Sequence, residues 1–166
     1  MMMTGRLLAV AATMILAGTA PALAGHTPLA LRAQPGTDLD SVARQLVAQD
    51  LAEATRAGET PLVLVGAAQL GDSSEHPLVF VQLQSPRECG SAGCSTSAYV
   101  FKQRGWHKVL DAVSGPILVD DASHRGMRDL IVHERDRWVW NGSAYGGTKP
   151  APEVDLRPTR LSYVAR

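Results

Sequence analysis

Two cysteines offer the most specific chemistry in this chain of 166 residues. Cys89 and Cys94 are its only cysteines, and they enclose the glycine-rich loop Gly90-Ser91-Ala92-Gly93. The Cys-x4-Cys spacing differs from the Cys-x-x-Cys of thiol oxidoreductases, and the sequence contains no Cys-x-x-Cys-His haem attachment site. An even cysteine count behind an export segment favours a structural disulfide. We expect a Cys89–Cys94 bond that shapes a small loop and presents it to a partner.

A histidine and a carboxylate raise the possibility of hydrolase chemistry. Ser123, His124 and Asp129 are the three residue types of a serine triad, and they lie within seven positions. The Gly-x-Ser-x-Gly elbow is absent, however, and adjacency of serine and histidine in sequence does not give triad geometry. The neighbouring acids Asp120 and Asp121 are typical of a solvated turn. We therefore predict no catalytic residues, and a hydrolase that uses His124 and Asp129 is the alternative.

No metal ligands and no cofactor are predicted. The histidines are scattered, without the His-x-His or His-x-x-x-His spacing that is typical of zinc sites. The turn at residues 69–75 lies where a calcium loop could form between strands. Asp72 and Glu75 are its only acids, whereas calcium takes six or more oxygen ligands.

The aromatic residues suggest a contact surface. Trp138 and Trp140 are two positions apart, so they share one face of a strand. That face is either part of the core or an exposed apolar surface for a ligand or partner, and the sequence leaves both interpretations open. Arginine side chains can stack on such rings. The candidate binding residues are Trp106, Arg128, Trp138, Trp140 and Tyr145.

One amphipathic helix is predicted over residues 37–57. Thr37 or Asp38 can cap its first turn, and Gly58 can end it. Apolar residues recur at helical spacing and form one stripe for burial, which comprises Leu39, Val42, Ala43, Leu46, Val47, Leu51 and Ala54.

Short strands separated by turn residues follow the helix. Leu78–Gln84 alternates in the manner of a strand with one face in water. The tight turn at Gln103-Arg104-Gly105 predicts a hairpin between its flanking strands. Short connections favour antiparallel neighbours. We therefore predict an α+β fold in which the N-terminal helix packs on one antiparallel meander of about seven short strands with one disulfide-closed loop.

The N-terminal sequence predicts export. Arg6 precedes an uncharged apolar run, and Ala22-Leu23-Ala24 fits a small-x-small cleavage site, so residues 1–24 are interpreted as a signal peptide. The apolar run is shorter than the roughly 20 residues that a membrane-spanning helix needs, so no stable membrane insertion is expected after cleavage. We then expect a flexible lead-in at 25–36, a single domain at 37–145 and an extended or disordered tail at 146–166.

The balance of charge argues against a nucleic-acid partner. The chain contains 16 Lys plus Arg and 16 Asp plus Glu, so its formal net charge is zero. Without a basic excess the protein lacks the electrostatic field that attracts a polyanion. The remaining partner classes are a protein or a component of the cell envelope.

A set of short motifs lies between Val79 and Tyr145. They are Val81-Gln82-Leu83, the loop from Cys89 to Cys94, Gly105-Trp106, Gly126-Met127-Arg128-Asp129-Leu130, and the segment from Asn141 to Tyr145. This stretch resembles a group of small secreted bacterial proteins of unknown function with a Cys-Gly-Ser-x-Gly-Cys loop. Members of that group often contain a calcium-loop motif, and the acids it needs are missing here at residues 69–75. The resemblance implies a secreted protein and no particular activity.

These observations predict an exported, non-catalytic binding module of the bacterial periplasm or exterior. The Cys89–Cys94 loop is its expected point of contact with a protein or envelope partner. The alternatives are a small secreted hydrolase and an inhibitor of an extracellular hydrolase such as lysozyme, the latter by analogy with other small disulfide-bearing β proteins.

Overall fold

A computed structural model describes residues 26–71, 77–133 and 135–147. The predicted signal peptide at 1–24, most of the turn at 69–75 and the tail beyond residue 147 lie outside these residues. In chain order the elements are β1 (Thr27–Pro28), α1 (Asp38–Leu46), α2 (Ala48–Arg56), β2 (Leu62–Ala68), β3 (Leu78–Gln84), β4 (Cys89–Gly90), β5 (Gly93–Lys102), β6 (Gly105–Ser114), β7 (Ile117–His124), β8 (Met127–Val132), β9 (Asp136–Trp140) and β10 (Tyr145–Gly147).

The predicted α+β class, with one helix on a single meander, is wrong. Strands contain 53% of the described residues and helices only 16%, and the strands form two antiparallel sheets. In sheet 1, β2, β3, β5 and β6 lie side by side, and β4 pairs with the start of β5. Sheet 2 has the order β1-β7-β8-β9-β10. The predicted β-rich character and short antiparallel connections are confirmed.

The chain passes from sheet 1 to sheet 2 at Gly115. This residue has φ +97°, a conformation that favours glycine. A side chain there would also collide with the ring of His133. Pro116 follows, and β7 then pairs with β1 and β8 instead of extending the row beyond β6. A strand pattern in the sequence does not reveal this change of sheet, because alternation reports burial and not the identity of the neighbouring strand.

The predicted helix at 37–57 is broken into two helices at Val47. Thr37 caps α1 as expected, since its side chain accepts a hydrogen bond from the amide of Asp40. Val47 has φ −112° and ψ 24°, outside the helical region, and its side chain is buried against sheet 1. A β-branched residue has a lowered helix propensity, so packing of Val47 against the sheet can interrupt the helix here.

Two hydrophobic cores lie on the two faces of sheet 1. Phe80 belongs to the core between the sheets, whereas Val79 and Val81 belong to the core beneath the helices. The bounds predicted for β3 are confirmed. The prediction that one face of this strand lies in water is wrong, because Val79, Phe80 and Val81 are all buried. The helices cover one face of β3 and sheet 2 covers the other.

The segment His26–Arg32, here named the strap, joins the two sheets along one side. The amide of Leu29 donates to the carbonyl of Ile117 in sheet 2, and Arg32 exchanges both backbone hydrogen bonds with Val65 in sheet 1. Gly66 permits this crossing, since a Cβ at that position would collide with the backbone oxygen of Ala30. The described part of the expected lead-in is thus paired with both sheets.

Candidate functional site

The disulfide loop is a small hairpin at the edge of sheet 1. Cys89 in β4 lies directly opposite Cys94 in β5, and the two are bonded with an S–S length of 2.06 Å. The predicted disulfide is confirmed. Ser91 and Ala92 form the exposed tip. Gly93 completes the hairpin with φ +111°, which a residue with a side chain would adopt only with strain.

Backbone contacts fix the loop on both sides. The amide of Cys89 donates to the carbonyl of Ser85, and the amide of Ser95 donates to the carbonyl of Glu88 at 2.8 Å. Across the hairpin, Gly93 approaches the Gly115 turn so closely that a Cβ on it would lie 3.0 Å from the Gly115 nitrogen. The covalent bond and these contacts hold the hairpin in one position relative to both sheets.

A groove of about 420 Å³ opens beside this hairpin, at one end of the space between the sheets. We name it the loop groove. The strap, sheet 1, the hairpin and the start of β7 all contribute to it, through Pro28, Leu29, Leu31, Leu64, Gln82, Gln84, Ala92, Gly93, Cys94, Gly115, Pro116, Ile117 and Leu118. Its volume falls in the range of small-molecule sites, and such sites often occupy the mouths of β structures.

Two glutamines supply the polar side chains of the loop groove. The amide nitrogen of Gln84 donates to the amide oxygen of Gln82 at 3.1 Å, and the nitrogen of Gln82 donates to the hydroxyl of Thr96 at 2.9 Å. This chain of hydrogen bonds orients both amides within an otherwise apolar lining.

Three of the predicted aromatic residues lie together in sheet 2. Trp138 and Trp140 are half-buried and pack against the core between the sheets. The ring of Tyr145 meets that of Trp140 edge-on, with centroids 5.3 Å apart, and its hydroxyl donates to the carbonyl of Arg128 at 2.8 Å. Burial is the main cause that raises the pKa of Tyr145, with a smaller contribution from the charge of Asp129.

The other two candidates have different surroundings. Trp106 lies in sheet 1, packs against the helix-side core and meets Phe101 edge-on. The guanidinium of Arg128 donates to the carbonyl of Asp120 and to the carboxylate of Asp121, both at 2.8 Å. The structure therefore brings Arg128, Trp138, Trp140 and Tyr145 into one sheet and places Trp106 in the other. A role in binding stays a prediction for all five.

His124 and Asp129 belong to a larger group of charged and titratable side chains, which we name the Asp120–Asp129 network. Its members are His26, Asp120, His124, Asp129 and Arg137. Asp129 is fully buried, and its two oxygens contact His124 Nδ1 at 2.7 Å and the Arg137 guanidinium at 2.8 Å. The same guanidinium lies 2.6 Å from Asp120, whose other oxygen is 3.5 Å from Nδ1 of His26. Asp120 is buried in β7, so its interpretation as part of a solvated turn is wrong.

The pKa values of Asp120 and Arg137 in this network favour their charged forms. Burial alone would raise the pKa of Asp120, but the backbone amide of Ala122 and the charge of Arg137 outweigh it, and the pKa lies below its ordinary value. The hydrogen bond to Asp129 raises the pKa of Arg137, with the charge of Asp120 adding to the effect. The ion pair between Asp120 and Arg137 is therefore present across the neutral pH range.

His124 has one element of a catalytic base. Its Nδ1 contacts a buried carboxylate, as in a base held by an orienting group, while the residue itself is exposed. Within the described part of the chain, no hydrogen bond joins His124 to a serine hydroxyl. Neither the loop groove nor a second cavity, of about 200 Å³ beside Lys108 and Asp111, is lined by His124 or Asp129.

The described residues show neither a cluster of metal ligands nor a membrane-spanning helix. Across residues 26–71, 77–133 and 135–147, no cluster of three or more His, Cys, Asp or Glu side chains is arranged to hold a metal ion. In these segments no helix has the length and apolar character needed to cross a membrane.

Comparisons with known proteins identify no family. The chain matches no protein-family model, no curated protein and no solved structure. The resemblance to small secreted proteins with a Cys-Gly-Ser-x-Gly-Cys loop therefore stays a prediction, and function must be inferred from the geometry.

Sequence reasoning identified the loop but not the groove beside it. The alternation that predicts a strand at Leu78–Gln84 indicates no role in binding for Gln82 and Gln84, although both line the groove. A signal was present in β3, where two glutamines at alternating positions follow a run of apolar residues. The strap residues gave no comparable signal, because their place in the groove depends on pairing with distant strands.

Proposed function

We propose that this protein is an exported, non-catalytic binding module that contacts its partner through the disulfide hairpin and the loop groove. The observation that supports it best is the position of the Cys89–Cys94 hairpin: Ala92, Gly93 and Cys94 form one wall of a groove between the two sheets. An ordered loop at the mouth of an apolar groove is suited to binding.

The rigidity of the hairpin supports this proposal. A loop that is already ordered loses little conformational entropy when a partner binds, so more of the contact energy appears as affinity. The disulfide, the backbone hydrogen bonds to Ser85 and Glu88, and the close approach to Gly115 all act in this direction.

The proposed location rests on the sequence and is compatible with the disulfide. Disulfides persist in oxidising compartments such as the periplasm and the exterior. The N-terminal pattern of residues 1–24 is typical of a cleaved signal. We propose a protein or an envelope component as the partner. An exported chain meets these macromolecules, and the lack of a basic excess argues against nucleic acid.

A paired substitution at the hairpin tip tests the proposed contact. Ala92 lines the loop groove, whereas the adjacent Ser91, which is also exposed, does not. Immobilised wild-type protein and the Ala92→Arg and Ser91→Arg variants are exposed to an envelope extract. We expect a partner that is retained by wild type and Ser91→Arg and lost by Ala92→Arg. Equal retention by all three proteins, or no retained partner, contradicts the proposal.

A second candidate function, a small hydrolase, is favoured by one contact. His124 Nδ1 lies 2.7 Å from the buried carboxylate of Asp129, which is an arrangement that can orient a general base. A panel of ester, amide and glycoside substrates separates the two functions. The binding-module proposal predicts no turnover above that of His124→Gln, and turnover lost in His124→Gln supports the hydrolase.

A further inference from the structure

We propose that the loop groove binds one uncharged, mainly aliphatic chain that has a single hydroxyl or amide group near Gln82 and Gln84. This inference rests on the proposed function and specifies the chemical class of its ligand. Three features of the groove lead to it: the absence of charge in the lining, the continuity of the lining with the core, and the paired amides of the two glutamines.

The lining of the loop groove contains no charged side chain, and this argues against an ionic ligand. None of the thirteen lining residues is Asp, Glu, Lys, Arg or His. An ionised group placed there would lose its hydration without gaining a counter-charge, and burial of an unpaired charge is strongly unfavourable. The Asp120–Asp129 network, which could pair with an ion, shares no residue with this lining.

The apolar side of the groove continues directly from the core between the sheets. Ile117 is buried in that core and also lines the groove, and Leu29 and Leu31 of the strap pack against the same core. Leu62, which does not line the groove, is 49% exposed, pairs with Gln84 in β3 and lies two positions from Leu64 on the same face of β2. An aliphatic chain in the groove would extend the core toward this exposed leucine.

The glutamines determine the polar end of the ligand. Gln82 donates to Thr96 and accepts from Gln84, so its amide is held at both ends. Gln84 donates to Gln82, and within the described segments its own amide oxygen accepts no hydrogen bond. A ligand hydroxyl or N–H group can therefore donate to Gln84, and its aliphatic part then lies against Leu64, which is half-buried.

N-Phenyl-1-naphthylamine is a suitable reporter because it is neutral and apolar and has one N–H donor, and its displacement by the neutral alcohol decan-1-ol tests the aliphatic class. We expect its fluorescence to rise on addition of the purified protein and to give a saturable binding curve. The Leu64→Arg variant places a charge in the lining and should weaken binding about tenfold or more. Phe101→Arg is the matched control, since Phe101 is a solvent-exposed hydrophobic side chain on β5 about 23 Å along the strand from Cys94.

A replacement variant covers the case in which Leu64→Arg does not fold, and an anionic dye tests whether the groove prefers a neutral ligand. If Leu64→Arg is unfolded by circular dichroism, Ala92→Arg at the exposed hairpin tip replaces it, with Ser91→Arg as its control. The anionic dye 8-anilinonaphthalene-1-sulfonate, which is similar in size, should bind at least tenfold more weakly than the neutral probe. Tighter binding of the anionic dye overturns the inference.

The outcomes separate this inference from the proposed function. Neutral-probe binding that is lost in Leu64→Arg and kept in Phe101→Arg supports the ligand class, even when no macromolecular partner is retained from the extract. Absence of probe binding, or equal binding by wild type and Leu64→Arg, overturns the ligand class. In that case a partner lost by Ala92→Arg would still support the proposed binding module.

Discussion

At the residue scale, the Cys89–Cys94 bond is the feature that could be predicted most directly. Both the cysteine count and the short spacing are visible in the sequence, and no other pairing within the chain is possible. The Asp120–Asp129 network could not be predicted in the same way. The network depends on an irregularity in the β7–β8 register between Val119 and Ser123. It also depends on Arg137, which lies in the neighbouring strand β9.

The disulfide predicts the thiol content of the protein. Denatured, unreduced protein should give no free thiol on titration, because both cysteines are bonded to each other. The disulfide closes a loop of only about six residues. The Cys89→Ser/Cys94→Ser variant should therefore lose about 2 kcal/mol of unfolding free energy. Two thiol equivalents in the unreduced protein would contradict the bond.

The lowered pKa of Asp120 predicts a pH-dependent contribution to stability. A carboxyl with a lowered folded-state pKa stabilises the fold at pH values above the unfolded-state pKa, which is about 4. This stabilisation is lost as pH falls through the folded-state value. Asp120→Asn should therefore be less stable than wild type at pH 7, by about 1–3 kcal/mol, and the difference should shrink below about pH 4.

Urea unfolding at several pH values measures this effect. Asp121→Asn is the matched control, because the Asp121 side chain is 59% exposed and its ion pair with Arg128 should contribute less than about 1 kcal/mol. A stability difference for Asp120→Asn that grows as the pH is lowered toward 3 would show that the ionised carboxylate of Asp120 is not its cause.

At the scale of elements, local patterns identified strands and one hairpin but not the strand partners that lie far apart in sequence. The bounds of β3 and the hairpin before β6 followed from alternation and turn residues. The strap could not be foreseen, because its apolar run Leu29-Ala30-Leu31 is too short to predict a strand and Pro28 lies directly before it. Its position is determined by backbone pairing with Ile117 and Val65, which lie far away in sequence.

The strap predicts a specific effect at Gly66. An added Cβ would collide with the backbone oxygen of Ala30, so Gly66→Ala should displace the strap and lower the unfolding free energy by about 1–3 kcal/mol. Gly105→Ala is the control, since a Cβ at Gly105 meets no atom within 4 Å. Thermal melting of both variants measures the difference. Equal melting temperatures would mean that the strap does not cross β2 at this point.

At the scale of the whole molecule, the sequence predicted a β-rich chain but not its two-sheet arrangement. Two architectures give the same sequence pattern of short strands and a helix with one apolar stripe. One is a single sheet covered by a helix, and the other is a pair of sheets with helices on the outer face of one of them. The difference lies in β3, which is buried on both faces and so reads as a nearly continuous apolar run. Its last residues, Gln82 and Gln84, break that run where sheet 2 no longer covers them and the loop groove begins.

We propose that binding occurs in the loop groove and not at the Asp120–Asp129 network. The most direct test is a titration of ¹⁵N-labelled protein with N-phenyl-1-naphthylamine, followed by two-dimensional NMR of the backbone amides. We predict that the largest shifts occur at Leu64, Gln84, Ala92, Gly93 and Ile117. Shifts concentrated at His124, Asp129 and Arg137, with the groove residues unchanged, would contradict the claim and favour a site at the charged network.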